Sequence, residues 1–225
     1  VCIRNHYNLA KCLLCKDKSI DINSLITKKE KNRYNRNISI TKKTALFSSI
    51  SLGYIDIVQL LLENKDIDVN KKSFDDCQEH KEFTPLFIAV NHREKEIVSL
   101  LLDHKDIDVN MKSIHDKEEE APLNAAISND DDEIVQLLLN HKNIDINLRS
   151  LKYDEDFDEC TSEFYREVTP LYQAAGFCSN PKVIQLLLDQ KNIDIYAIIN
   201  IREEQYYTST GERFEPRQIE DSALY

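Results

Sequence analysis

TPLFIAVNHREKEIVSLLLDHKDIDVN occupies residues 84–110, and its spacing predicts two short helices and a corner. Thr84 can cap free N–H groups, and Pro85 takes the first helical position, where its missing donor costs nothing. Leu86, Ala89 and Val90 fall on one face at helical spacing. A second helix is expected from Glu94 to Leu102, with Ile97, Leu100 and Leu101 as its packed stripe. Leu100, and Leu137 at the same place one unit later, are expected to be buried.

Three more stretches follow the same plan. Residues 44–70 read TALFSSISLGYIDIVQLLLENKDIDVN, 121–147 read APLNAAISNDDDEIVQLLLNHKNIDIN, and 169–196 read TPLYQAAGFCSNPKVIQLLLDQKNIDIY. The last has one extra residue, near Ser179. Connectors of 13, 10 and 21 residues separate the four. Constant units with elastic connectors are what stacking predicts, because a unit must match its neighbour while a connector projects into water. Residues 9–23 match the second half of a unit, and SALY at 222–225 matches TPLY at 169–172. We therefore expect a single array over residues 1–225, cut from a longer one, with a partial unit in 1–23. Each buried Leu or Ile contributes roughly 1.5–3 kcal/mol. That outweighs ordering entropy only when a neighbour covers the face, so a lone unit should not fold.

These residues resemble the ankyrin repeat family in three places: the T-P-L-x-x-A opening, the I-V-x-L-L-L second helix and the closing D-V-N. The resemblance spans about four-fifths of the chain. It implies helix–turn–helix pairs stacked into a curved solenoid, with loop fingers along one edge, a protein-binding role and no intrinsic catalysis. The family's His after T-P-L is replaced by Phe47, Phe87, Asn124 and Tyr172. The usual Gly after the second helix is missing, and the connectors are long for the family.

Composition narrows the functional classes. Hydrophobic residues make up 41% and charged residues 31%, a globular balance. The net charge is −11, yet residues 1–43 hold 11 Lys/Arg against 3 Asp/Glu. The acidic remainder disfavours nucleic acid, whose phosphates need Lys and Arg. No apolar run approaches the roughly 20 residues a membrane span needs. Six cysteines without small-scaffold density are read as free thiols in a reducing compartment.

Asp66, Asp68 and Asn70 begin like a calcium loop, but that loop needs Gly at its sixth position and Glu at its twelfth. Lys71 and Cys77 stand there, so the phrase reads as a structural corner anchored by Ile67 and Val69. Cys2, His6, Cys12 and Cys15 have zinc-ligand types, yet Cys15 falls at a core position of the repeat and Cys12 and Cys15 are helix neighbours. Cys160 sits among acids that raise a thiol pKa, and nothing fixes Cys77 beside His80. No catalytic or metal site and no cofactor is expected. The connector 151–168 is rich in acids and aromatics, including Tyr153, Phe164 and Tyr165. The connector 24–43 is basic through Lys28, Lys29, Lys31, Arg33, Arg36, Lys42 and Lys43. Either can be a solvated loop or a gripping finger.

The sequence thus predicts an all-α solenoid: an intracellular, cytoplasmic, monomeric scaffold that binds a protein partner of basic or mixed charge. The alternative is a regulatory or targeting segment of a larger enzyme or channel. By the resemblance, binding residues lie on the fingers and at the ends of the first helices. They are Glu82, Phe83, Asn91, His92, Asn129, Asp130, Glu163, Phe164, Arg166 and Phe177.

Overall fold

The computed structural model describes residues 7–8, 11–12, 20–31, 38–75, 81–115, 118–153, 163–196 and 200–204. Each full unit forms a helix pair: α1 (Ala45–Ser51) with α2 (Ile55–Leu62), α3 (Pro85–Asn91) with α4 (Lys95–Leu102), α5 (Pro122–Ser128) with α6 (Asp132–Leu139), and α7 (Pro170–Phe177) with α8 (Pro181–Leu188). First helices pack on first helices and second on second, giving two parallel rows.

The caps follow the residue chemistry. The Thr44, Thr84 and Thr169 side chains accept the N–H of Phe47, Phe87 and Tyr172 at 3.1, 3.1 and 3.3 Å. Asp131 accepts from Ile134 and Asn180 from Lys182, both at 3.1 Å. The turns inside the first three pairs pass through left-handed backbone at Gly53, Arg93 and Asp130, with φ of 66°, 60° and 58°. The longer fourth turn leaves α7 through an extended Cys178 instead.

The core lies between the rows. Leu86, Val90, Ile97 and Leu101 of one unit, and Leu123, Ile127, Ile134 and Leu138 of the next, are at most 2% exposed. Leu100 and Leu137, expected to be buried, are only half-buried. One residue along a helix is a rotation of about 100°, so the stripe that faces the first helices runs through Leu101 and Leu138.

The expectation of an all-α solenoid is overturned. The connectors form hairpins, and among the described residues these join into one nine-stranded antiparallel sheet in chain order. Its strands are β1 (Ile26–Lys31), β2 (Ile38–Lys43), β3 (Ser73–Asp75), β4 (Lys81–Phe83), β5 (Ser113–His115), β6 (Glu118–Glu120), β7 (Ser150–Tyr153), β8 (Glu163–Val168) and β9 (Asn200–Glu204). The reason is local. Ser73, Ser113 and Ser150 each stand three residues after the closing Asn of a unit. Their hydroxyls accept the N–H of Thr44, Thr84 and Ala121 at 3.2, 2.9 and 3.1 Å. Each strand is thereby tied to the start of the preceding unit's first helix. That brings β2 against β3, β4 against β5 and β6 against β7, where unpaired strand edges complete one another.

Candidate binding surface

Side chains alternate across a strand, so this sheet has a face toward the first helices and a face away from them. On the helix-facing side, Phe83 stacks on Phe47 and Phe87 with ring centroids 6.4 and 6.0 Å apart. The His115 ring continues the stack, 6.4 Å from Phe83 and 5.4 Å from Phe87. Lys43 Nζ lies 5.5 Å from the centre of the Phe47 ring, in cation–π geometry. Phe47 and Phe87 are buried, whereas Phe83 and His115 are half-buried. The result is an aromatic shelf with a partly open upper surface.

Toward the third and fourth units the shelf turns polar. Glu120 Oε2 sits 3.0 Å from His115 Nε2, and Glu120 Oε1 accepts from Lys152 Nζ at 2.6 Å. Lys152 also reaches Glu118 at 3.0 Å. Burial raises the Glu120 carboxyl pKa, but the His115 hydrogen bond and the Lys152 ammonium outweigh it and hold the group at about 2. Lys152 is pushed up from its ordinary value, its own burial being overcome by the attraction of Glu120 and Glu118. Inward from Glu120, Ser128 donates to it at 3.3 Å, and the Gln173 amide donates to Ser128. Asn124 donates to Gln173 at 2.8 Å. Asn124 and Gln173 are both buried, so the amide pair joins α5 to α7 inside the stack.

On the far face one row crosses the sheet in register. Lys42 pairs with Phe74, Phe74 with Glu82, Glu82 with Ile114, Ile114 with Glu119, Glu119 with Leu151, and Leu151 with Glu167. Each of these glutamates has a cation from the preceding corner: Lys72 to Glu82 at 3.0 Å, Lys112 to Glu119 at 3.4 Å, and Arg149 to Glu167 at 3.3 Å.

The ten expected binding residues divide into two groups. Glu82, Phe83, Glu163, Phe164 and Arg166 are on the sheet. Glu82 and Phe83 are adjacent in the strand and take opposite faces, Glu82 on Lys72 and Phe83 in the aromatic stack. Glu163 and Phe164 pair with Glu204 and Glu203 of β9, and Arg166 Nη1 lies 3.5 Å from the Tyr172 hydroxyl. The second group lines the turns at the other ends of the first helices, about 10 Å away over seven residues. There Asn91 and His92 are exposed, and Phe177 is 74% exposed. Arg93 donates to the Asn129 carbonyl at 2.5 Å, and the Asn129 amide donates to Val90. Asp130 accepts from Cys178, Ser179 and Asn180. The donated bonds, that of the Cys178 thiol first, lower the Asp130 carboxyl pKa to about 2, while burial raises the Cys178 thiol.

The spacing of the repeat pointed to the fingers but not to His115, Glu120 and Lys152. Their signal was the repeated run Lys72-Ser73-Phe74, Lys112-Ser113-Ile114 and Arg149-Ser150-Leu151, which marks a strand with fixed inner and outer residues. Among the described residues no group of three or more His, Cys, Asp or Glu is arranged to hold a metal ion. Cys12 is exposed, whereas Cys2, His6, Cys15, Cys77, His80 and Cys160 lie outside the described residues. Among the described residues no helix is long and apolar enough to cross a membrane.

Two family models match this chain. The one for ankyrin repeats (3 copies) covers residues 71–150, and the one for a single ankyrin repeat covers 41–73. No curated protein matches it. The fourth helix pair lies beyond the matched residues, but it repeats the same capped geometry and packs on the third. Ankyrin repeats are in general modules of protein–protein interaction, and domains built from them are typically non-catalytic. Residues 41–150 of this chain are thus identified as ankyrin repeats.

Proposed function

We propose that this chain is a cytoplasmic, monomeric scaffold that binds a protein partner along the junction of the sheet with the first-helix row. The carrying observation is the half-open aromatic shelf of Phe83 and His115, backed by buried Phe47 and Phe87. Aromatic side chains on a rigid support supply large contact area at low entropic cost, as binding hot spots do. The shelf is bordered by the polar and charged set His115, Glu120, Lys152 and Glu118. An apolar side chain next to a polar or charged one is the feature this surface would recognise. Asn91, His92 and Phe177 at the turns extend the surface along the first helices. Most of its acids are engaged internally, so the net charge of −11 acts on a partner mainly through the long-range field, favouring a basic or mixed-charge segment and faster encounter at low salt.

The test begins with a partner recovered by crosslinking to the 225-residue chain. Phe177→Ala and His92→Ala, both at exposed positions, should weaken its binding by more than about 1 kcal/mol each. Glu63→Ala and Asp103→Ala, at the ends of second helices, should not. The reverse pattern would place the interface on the second-helix side and defeat the assignment.

A further inference from the structure

Units built alike must still stack in one order. Leu61, Leu101, Leu138 and Leu187 are buried at the same place of each second helix. Asn70, Asn110 and Asn147 each donate to the main chain of the next corner, at 2.7, 2.8 and 2.8 Å. Contacts that repeat at every junction do not tell one junction from another. By themselves they leave a unit free to stack on the wrong neighbour, or on a unit of another copy. Misassembly of that kind is the characteristic failure of repeat chains.

Two places in the first helix break the repeat. Asn124 stands where the other units carry Phe47, Phe87 and Tyr172, and Gln173 stands where they carry Ser48, Ile88 and Ala125. The two departures meet. Asn124 Nδ2 donates to Gln173 Oε1 at 2.8 Å, and Gln173 Nε2 donates to the Asn124 carbonyl at 3.2 Å and to Ser128 Oγ. Asn124 is fully buried and Gln173 is 3% exposed. In the register of the repeat, the same two places hold Phe47 and Ile88 at the first junction, and Phe87 and Ala125 at the second. A buried amide pair adds little to stability over apolar side chains of the same size. Among the described residues no group donates to Asn124 Oδ1, which lowers its worth further.

We propose that Asn124 and Gln173 fix the order of the units by letting α7 stack on α5 of its own chain and on no other first helix. On α1 or α3, Gln173 would be buried against Phe47 or Phe87. Beside the second or third unit of another copy, Asn124 would be buried against Ile88 or Ala125. In each case an amide lies in the core without a hydrogen-bond partner, which disfavours the arrangement by roughly ten- to a hundredfold. A buried amide in a coiled coil acts in the same way, selecting register and partner number at a cost in stability.

The test refolds the 225-residue chain and its variants from urea at stepped protein concentrations, mixing isotopically labelled and unlabelled copies, and measures intertwined species by native mass spectrometry. Gln173→Leu leaves Asn124 unbonded in the correct order and removes the penalty on wrong ones. It should lower the unfolding midpoint and raise the fraction of mixed-label species at least about tenfold. Adding Asn124→Leu should restore the midpoint and keep that fraction raised. Val183→Ala empties a fully buried position of α8 without touching the amides, and it should lower the midpoint while leaving the fraction at the parent level. The proposal fails if Gln173→Leu refolds with the parent fraction, or if Val183→Ala raises it equally, since lost stability would then explain the exchange. It fails also if the double variant regains the midpoint and refolds like the parent. Should the double variant not fold, the comparison of Gln173→Leu with Val183→Ala decides alone.

Discussion

Asn70 bridges two units by gripping the main chain around Asp108. Its Oδ1 accepts the Asp108 N–H at 2.9 Å, and its Nδ2 donates to the Asp106 carbonyl at 2.7 Å. The same pair of bonds recurs from Asn23 to Asp66 and Asp68, from Asn110 to Asn143 and Asp145, and from Asn147 to Asn192 and Asp194. Within each corner the aspartate two residues before the closing residue holds the turn, as Asp68 does by accepting the Asn70 N–H at 3.0 Å. The D-x-D-x-N phrase therefore makes hydrogen bonds between units where a calcium loop would present its ligands. Tyr196 occupies the position of the Asn in the fourth unit.

Asn70→Ala removes both bonds while leaving the buried Ile67 and Val69 in place. Because the freed groups face water, the cost should be modest, about 1–2 kcal/mol. Urea denaturation of the variant checks it, and an unchanged midpoint would show that the ladder adds nothing to stacking.

Leu138 is fully buried and Leu137 half-buried on the same helix. Leu138→Ala should cost roughly 2–5 kcal/mol through lost burial and a cavity. Leu137→Ala should cost clearly less. Equal losses in equilibrium unfolding would contradict the packing of α6 against the first-helix row.

Gly53 and Gly176 should respond in opposite directions to Ala. Gly53 has φ of 66°, and an added Cβ would stand 3.2 Å from the Glu94 carboxylate. Gly53→Ala should cost about 1–2 kcal/mol. Gly176 is in α7 with nothing within 4 Å of a built Cβ. Gly176→Ala should raise stability by about 0.5–1 kcal/mol. Thermal melts of both variants report the signs.

Glu120 makes stability depend on pH. Its folded pKa is about 2 against 4.5 for the free group. Its contribution is therefore fully present above about pH 4.5 and lost as pH falls toward 2. The size is on the order of 3 kcal/mol. Glu120→Gln should flatten this part of the stability profile, measured by denaturant unfolding at stepped pH. An unchanged acid limb in the variant would show that His115 and Lys152 do not hold the carboxylate charged.

Much of this architecture is legible in the order of amino acids. A helix of seven or eight residues is specified by contacts within one turn. Thr84, Pro85 and the i, i+3, i+4 spacing around Ile97 are enough to place α3 and α4, and four copies in phase identify the stacked unit. The long connectors differ in length, yet Ser73, Ser113 and Ser150 keep their distance from the preceding Asn. That constancy is visible in the chain, but its meaning is not, because the N–H each serine satisfies lies 29 residues away.

The remainder depends on which chain segments become neighbours. A hairpin's outer edge has no partner until stacking sets the next hairpin beside it. The sheet therefore arises from the repeat distance and is written in no single connector. The same juxtaposition gives Glu120 its Lys152, 32 residues on, and Phe83 its two flanking rings. Glu82 and Phe83 take opposite faces because neighbours in a strand alternate, but the juxtaposition decides that Phe83 is the one that meets the first helices. Local preferences decide what each segment becomes, and long-range hydrogen bonds and burial decide which side chains share a surface.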